Sequence, residues 1–430
     1  MCVQLCRVSG TLVLALILST SSPALSGNGN SEQEEASEGL VDVMPPRFEL
    51  DPSWPLPLPD GTSWPELQRA ATSVAVDSHD YVWILQVPSP AARQAEAAGT
   101  TVPRLFAFDT AGNLLQAWGG PGEDYQWMEA PVPLPLWPGG TPAEHGMFVD
   151  HEDHVWGTGN GHVVLKFSHD GEFLLQIAEL GKTNGSNDQQ LLGNACELTV
   201  DPATNELYIA DGYLNRRVIV FDANTGAYKR HWGAYGKRPT DLQLLVTQDG
   251  LIADAAEFYF PAGPPQPQWL AVHCVQVSKD GLVYVCDRSR NRIQMFRRDG
   301  TFVSELSVAP DTPVDLGFLT GARRVNRSAL TAFGDDPPQA AGFGAPSTIG
   351  FSRDPEQRYL YVGDNQNSKI WIFRRRDLRL LGSFQTNTGA NHYLTVDSEG
   401  NIYNSGLQRF VFKGVPSLEG LLKRSVTTGR

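Results

Sequence analysis

The sequence predicts an all-β fold, a six-bladed β-propeller of four-stranded antiparallel blades, and three observations lead to it. From about residue 70 a short apolar strand ending in Asp or Ser, a turn and a second strand recur six times, as the units of a propeller do. Composition suits short strands joined by turns, with 42 Gly and 30 Pro against 19% charged residues. A length of 430 residues exceeds what one small core organises, so either several domains or one repetitive fold must carry the chain.

In chain order, residues 1–26 hold one Arg (Arg7), the apolar run TLVLALIL from Thr11 to Leu18, and SSPALS, with Ala24 and Ser26 three and one residues before Gly27. This order reads as a cleavable signal peptide, and the run is too short to span a bilayer. The mature protein is expected to be soluble and exported, secreted or periplasmic, without stable membrane insertion. Residues 27–41 carry the polar, acidic stretch NGNSEQEEASEG and read as a disordered linker. The propeller is expected over residues 42–414, followed by a tail over 415–430.

The inner strands are SVAVD (Ser73–Asp77), MFVD (Met147–Asp150), LTVD (Leu198–Asp201), VQVS (Val275–Ser278), TIGFS (Thr348–Ser352) and LTVD (Leu394–Asp397). Second strands follow turns whose geometry Gly or Asp-Pro supplies, as in SKDG-LVYVCD and DPATNE-LYIAD. NRRVIVFD, NRIQMFRRDG and NSKIWIFRRRD read as third strands, and LLQAWG, YKRHWG and LLGSF as fourth strands. The sixth unit runs out after LQRFVFKG, so an N-terminal strand within Asp42–Leu50 is expected to complete it and close the ring.

The net charge of −14 would repel a phosphate backbone over most of the surface, which disfavours a nucleic-acid partner. A monomer is expected. Cys2 and Cys6 leave with the signal, so Cys196, Cys274 and Cys286 remain and at least one is unpaired within the monomer. Cys274 and Cys286 lie on adjacent strands of one hairpin, where a disulfide and two free thiols are both open. Blade topology gathers inner-strand entries, second-to-third loops and fourth-to-first connections on one face. Three of those connections, 120–143, 236–270 and 309–343, are long and rich in Pro and Gly, as segments that build a site are, though they could instead cover sheet edges.

His145, His273 and His392 each stand five positions before the residue that ends their inner strand. They belong to the second, fourth and sixth blades, so a six-fold ring sets them about 120 degrees apart at one depth. Thr72 and Cys196 hold the equivalent places in the first and third blades, while the fifth blade's register is blurred. Three imidazoles converging from separate strands with a fourth position open match a catalytic zinc site more closely than a structural one. The plainer alternative is His as a polar plug in a wet channel. His79, His151, His154, His162, His169 and His231 fall in or beside turns or on outer strands and read as surface.

DGYLNRRVIVF and DRSRNRIQMF resemble the NHL repeat, whose Asp and Asn usually satisfy turn backbone and whose Arg packs between blades. EHGMFVD, ADGYLNRRVIVF, AVHCVQVS and CDRSRNRIQMF resemble the catalytic propeller of peptidyl-α-hydroxyglycine α-amidating lyase, and more closely exported bacterial NHL-repeat proteins similar to it, over roughly residues 50–414. The resemblance implies that His145, His273 and His392 bind Zn2+, that Tyr213 acts at the reacting hydroxyl, and that Arg288 lines the pocket. Three positions depart from the family. Val87 stands where the family has an Arg, with Arg93 a few residues on as a candidate substitute. Tyr393 follows the third His where the family has an Asp that helps hold calcium, which puts a Ca2+ ion in doubt. Leu214 stands where the family has a Cys bracketing the DGY loop.

The resemblance implies a carbon–nitrogen lyase reaction, in which a C-terminal α-hydroxyglycine of a peptide or small N-acyl substrate collapses to an amide and glyoxylate. Tyr213 would be the base, with its pKa of about 10 in water depressed by the metal and Arg288. An Arg would receive the substrate carboxylate by a bidentate contact, which Val87 cannot supply. Two other readings compete: a non-catalytic propeller that binds a peptide, glycan or protein on its loop-rich face, and a calcium-dependent lactonase-like hydrolase, whose pocket needs carboxylate and amide ligands where this register offers imidazoles.

Overall fold

The computed structural model describes residues 44–56, 71–128, 144–241, 244–247, 250–253, 267–309, 345–387 and 389–416. Six four-stranded antiparallel sheets follow one another along the chain. Blade 1 comprises Ala71–Val76, Val82–Gln86, Leu105–Phe108 and Leu114–Trp118, and blade 2 Glu144–Val149, Val155–Gly159, Val164–Phe167 and Phe173–Ile177. Blade 3 comprises Ala195–Asp201, Glu206–Asp211, Arg217–Asp222 and Tyr228–Trp232; blade 4 Val272–Val277, Leu282–Asp287, Arg292–Arg297 and Phe302–Ser307. Blade 5 comprises Pro346–Phe351, Tyr359–Asp364, Lys369–Arg374 and Arg379–Gln385. Each inner strand touches the inner strand of the next blade, and blade 6 touches blade 1, so the protein is an all-β, six-bladed propeller.

Blade 6 takes only three strands from the end of the ring, Leu394–Val396, Ile402–Asn404 and Gln408–Phe412. Its outer strand is Phe48–Asp51, which pairs Phe48 with Phe412 and Asp51 with Arg409. The closing strand expected within Asp42–Leu50 is therefore present and reaches one residue further. Phe48 anchors it, with ring centroids 5.6 Å from Tyr361, 5.2 Å from Phe384 and 5.9 Å from Phe412.

The Asp or Ser that ends each inner strand serves the turn. Asp77 Oδ1 accepts from the backbone N–H groups of His79 and Tyr81, while Oδ2 accepts from the Trp83 indole. Asp150 repeats this with Glu152, His154 and Trp156. Ser278 and Ser352 hydroxyls accept from the N–H of Leu282 and Tyr359. These side chains satisfy donors that a tight turn strips from the ladder, which is why the pattern recurs.

Second and third strands are sandwiched between blades; Val155–Gly159 is buried throughout, whereas the outer strand Leu114–Trp118 alternates toward solvent. Trp83, Leu105, Trp127, Met147, Leu165 and Phe167 form the core between blades 1 and 2. The NHL-like Asp and Arg residues act as scaffold. Asp211 Oδ2 accepts from Asn215 and Arg217, and Asp287 Oδ2 accepts from Arg292, all buried.

The helix Pro90–Ala97 in blade 1 and the hairpin Leu244–Thr247 with Gly250–Ala253 were not expected. The expected signal peptide, the acidic linker and nearly all of the tail lie outside the described residues, as does much of each long connection. Among the described residues no helix is long and apolar enough to cross a membrane.

Candidate metal centre

In five blades the register of the inner strand breaks at its second residue: between Ala71 and Ser73, Glu144 and Gly146, Ala195 and Leu198, Val272 and Cys274, and Pro346 and Thr348. A β-bulge takes a residue out of the ladder and re-aims its side chain. The residues so placed are Thr72, His145, Cys196, His273 and Ser347, with Glu197 sharing the wider break in blade 3. Ser347 thereby fills the fifth-blade place that the sequence left blurred. His392 takes the corresponding place ahead of Leu394–Val396.

The three imidazoles meet. Their ring centroids lie 4.7 to 5.3 Å apart, and one ligand nitrogen from each falls within 4.8 Å of the others. Each Nδ1 faces a backbone carbonyl of an adjacent odd-numbered blade: His392 to Thr72 at 3.0 Å, His145 to Cys196 at 3.2 Å and His273 to Ser347 at 2.6 Å. A carbonyl can only accept, so Nδ1 carries the proton and Nε2 presents its lone pair to the channel. His273 Nε2 and His392 Nε2 stand 3.1 Å apart with no proton to share between them. Two lone pairs so close repel unless a cation lies between them, and two ligands of one tetrahedral zinc stand about 3.3 Å apart. The donor set and its second layer of carbonyls therefore fit a three-histidine zinc site.

Burial lowers all three imidazole pKa values, His145 to about 3 and the other two well below the usual range, with the Arg288 charge adding to the effect. All three are neutral at pH 7 and able to ligate. Tyr213, from the second-to-third loop of blade 3, donates its hydroxyl to His145 Nε2 at 2.9 Å, and Arg288 Nη1 from the same loop of blade 4 donates to that hydroxyl at 3.4 Å. Burial raises the Tyr213 pKa and Arg288 opposes the rise. Gly212, just before it, is needed for close approach, because a Cβ there would lie 2.1 Å from the Val272 carbonyl oxygen.

Tyr393 donates to the Cys196 carbonyl at 2.6 Å and so accepts from His145 Nδ1 at 2.8 Å, which places a hydroxyl beneath the triad where calcium was in doubt. Beyond Tyr393 the channel opens to a cavity of about 290 Å³ containing Glu197, Thr199 and Gln276. Burial raises the Glu197 pKa to about 8, against hydrogen bonds from Gln276 and Thr348.

Val87 follows the second strand of blade 1 on the triad's face, half-buried, and Arg93 lies on the helix Pro90–Ala97 nearby in sequence. Cys274 and Cys286 form a disulfide beside His273, and Cys196 is a buried free thiol. His162, read as surface, is in fact buried: a left-handed turn at φ 66° folds its ring inward, near enough to Asp211 to feel its charge. His79 and His169, also read as surface, meet Asp77 across blades 1 and 2. Only contacts between turns of different blades could show this, and a single sequence gives no view of them.

No family model matches the sequence. NHL repeat-containing protein 3 of Mus musculus is 26% identical over 265 residues, which cover 59% of this chain and 58% of that protein. Peptidyl-glycine alpha-amidating monooxygenase B of Xenopus laevis is 28% identical over 260 residues, covering 53% of this chain and 26% of that protein. The chain therefore matches only part of the length of either relative. Among solved structures, one titled "Streptogramin B lyase structure" aligns with a TM-score of 0.43 at 12% identity, over 80% of this chain and 94% of that one. Six antiparallel four-stranded blades closed into a ring make the protein a six-bladed β-propeller, and its sequence is similar to that of NHL repeat-containing protein 3.

Proposed function

We propose that the protein is an exported zinc-dependent lyase of the amidating type, which cleaves the N–C bond of a C-terminal α-hydroxyglycine in a peptide or small N-acyl substrate. The observation that carries this is the meeting of three imidazoles whose Nε2 lone pairs face the channel beside a Tyr213–Arg288 pair. Similarity to the amidating monooxygenase supports the same chemistry. His145, His273 and His392 would hold zinc, which would supply a charge that lowers the pKa of a hydroxyl brought beside it.

Tyr213, as the tyrosinate that the neighbouring Arg288 charge would stabilise, would take the proton of that hydroxyl and become the neutral phenol. As the C–O bond becomes a carbonyl the C–N bond breaks. The hydroxyl proton, relayed through Tyr213, ends on the departing amide nitrogen, so the products are an amide and glyoxylate. With Val87 offering no cation, Arg288 and Arg93 are the candidate receivers of the substrate carboxylate, and the accepted substrates differ from those of the family pattern.

A second reading is a propeller that only binds a peptide, glycan or protein; Val87 favours it, because a lyase without that cation loses one hold on its substrate. The zinc-loaded protein with an α-hydroxyglycine compound should release glyoxylate, and Tyr213→Phe should reduce the rate by about 100-fold or more. Equal release by the parent and Tyr213→Phe would leave the binding reading.

A further inference from the structure

We propose a second metal site, on the face opposite the triad, formed by Asp77, His79 and His169 and selective for a divalent first-row transition ion such as Zn2+. Asp77 and His79 lie in the turn after the inner strand of blade 1, and His169 in the turn between third and fourth strands of blade 2. Each offers one ligand atom, and the three atoms lie within 4.8 Å of one another. Two imidazole nitrogens and one carboxylate oxygen suit zinc and its neighbours, whereas calcium and magnesium take mostly oxygen.

Asp77 and His169 are held before any ion arrives. Asp77 Oδ1 accepts two turn N–H groups, which orient Oδ2 toward His169 Nε2 at 3.0 Å. Asp153, anchored by Ser78, stands 3.7 Å from His79 Nδ1, and Asp170 stands 3.8 Å from His169 Nδ1. Asp170 can therefore receive the Nδ1 proton once Nε2 ligates, as carboxylates behind metal-bound histidines do. The three carboxylates also make the spot attractive to a cation.

Turn geometry alone does not call for these histidines. Blade 2 builds the same Asp–Trp turn with Asp150 and Trp156, and there a single imidazole, His154, approaches the carboxylate. The His79 side chain is 60% exposed, so the site is open to solvent and its removal should leave the fold intact.

The test is equilibrium dialysis of the metal-stripped full-length chain against Zn2+, with bound metal counted per chain. The double variant His79→Ala, His169→Gln should bind one equivalent fewer than the parent, and His154→Ala should bind as the parent does. A variant with His273→Ala and His392→Ala should keep the equivalent that His79 and His169 hold, which separates this site from the triad. Cu2+ loaded into that variant should show nitrogen hyperfine structure from two imidazoles by electron paramagnetic resonance, and adding His79→Ala should abolish it. Equal stoichiometry in the parent and the His79→Ala, His169→Gln variant, with both folded by circular dichroism, overturns the proposal.

Discussion

His273 and His392 bring two proton-free nitrogens within 3.1 Å, and what holds them there is backbone, not side chain: each Nδ1–H is committed to a carbonyl. Replacing one imidazole leaves the other two with an incomplete grip, so His273→Ala should lose the equivalent of zinc that the triad holds, read as metal bound per chain beside the parent. Glu197 gives a different prediction. Its pKa rises from 4.5 unfolded to about 8 folded, so the folded state binds the extra proton between those limits and stability falls as pH rises through them. Glu197→Gln should flatten that fall, read as denaturant midpoints at pH 5 and pH 8; parallel shifts in both proteins would mean that the carboxyl is ionised when folded. The triad was legible because histidine is scarce and its register repeats. Glu197, His162 and the Asp77 cluster were not, because their surroundings come from other blades and from turn handedness.

At the level of the strand, the bulge is what makes a histidine at the second position a channel residue rather than a ladder residue. Gly146 permits the bulge in blade 2, since a Cβ would sit 1.9 Å from the Cys196 carbonyl oxygen that His145 also needs. Gly146→Ala should cost about 1–3 kcal/mol in denaturant melts and weaken zinc binding as well, because the clash displaces a partner of His145. The strands themselves were legible from their apolar runs and their closing Asp or Ser. A bulge leaves no mark in an alternating pattern, so only the fold reveals it. The helix Pro90–Ala97 did carry a signal, with Ser89 accepting from Ala92 N–H and Pro at its first position, but it interrupts a blade whose period predicts a loop there.

Across the whole molecule the ring closes through Phe48–Asp51, which covers the edge of Gln408–Phe412 in the blade whose entry holds His392. Deleting residues 1–52 should expose that edge, lower the thermal midpoint and favour aggregation in light scattering, since an open strand edge recruits another chain. Closure by distant segments was readable from the shortage of one strand in the last unit. Its meaning for the centre was not, because it depends on which blade is completed. The ligands sit in the second, fourth and sixth blades, so a nascent chain carries at most two of the three imidazoles, on an unfinished arc, until residue 392 is added. A product that stops before the sixth blade lacks His392 and cannot offer an ion the three nitrogens that the finished ring brings together.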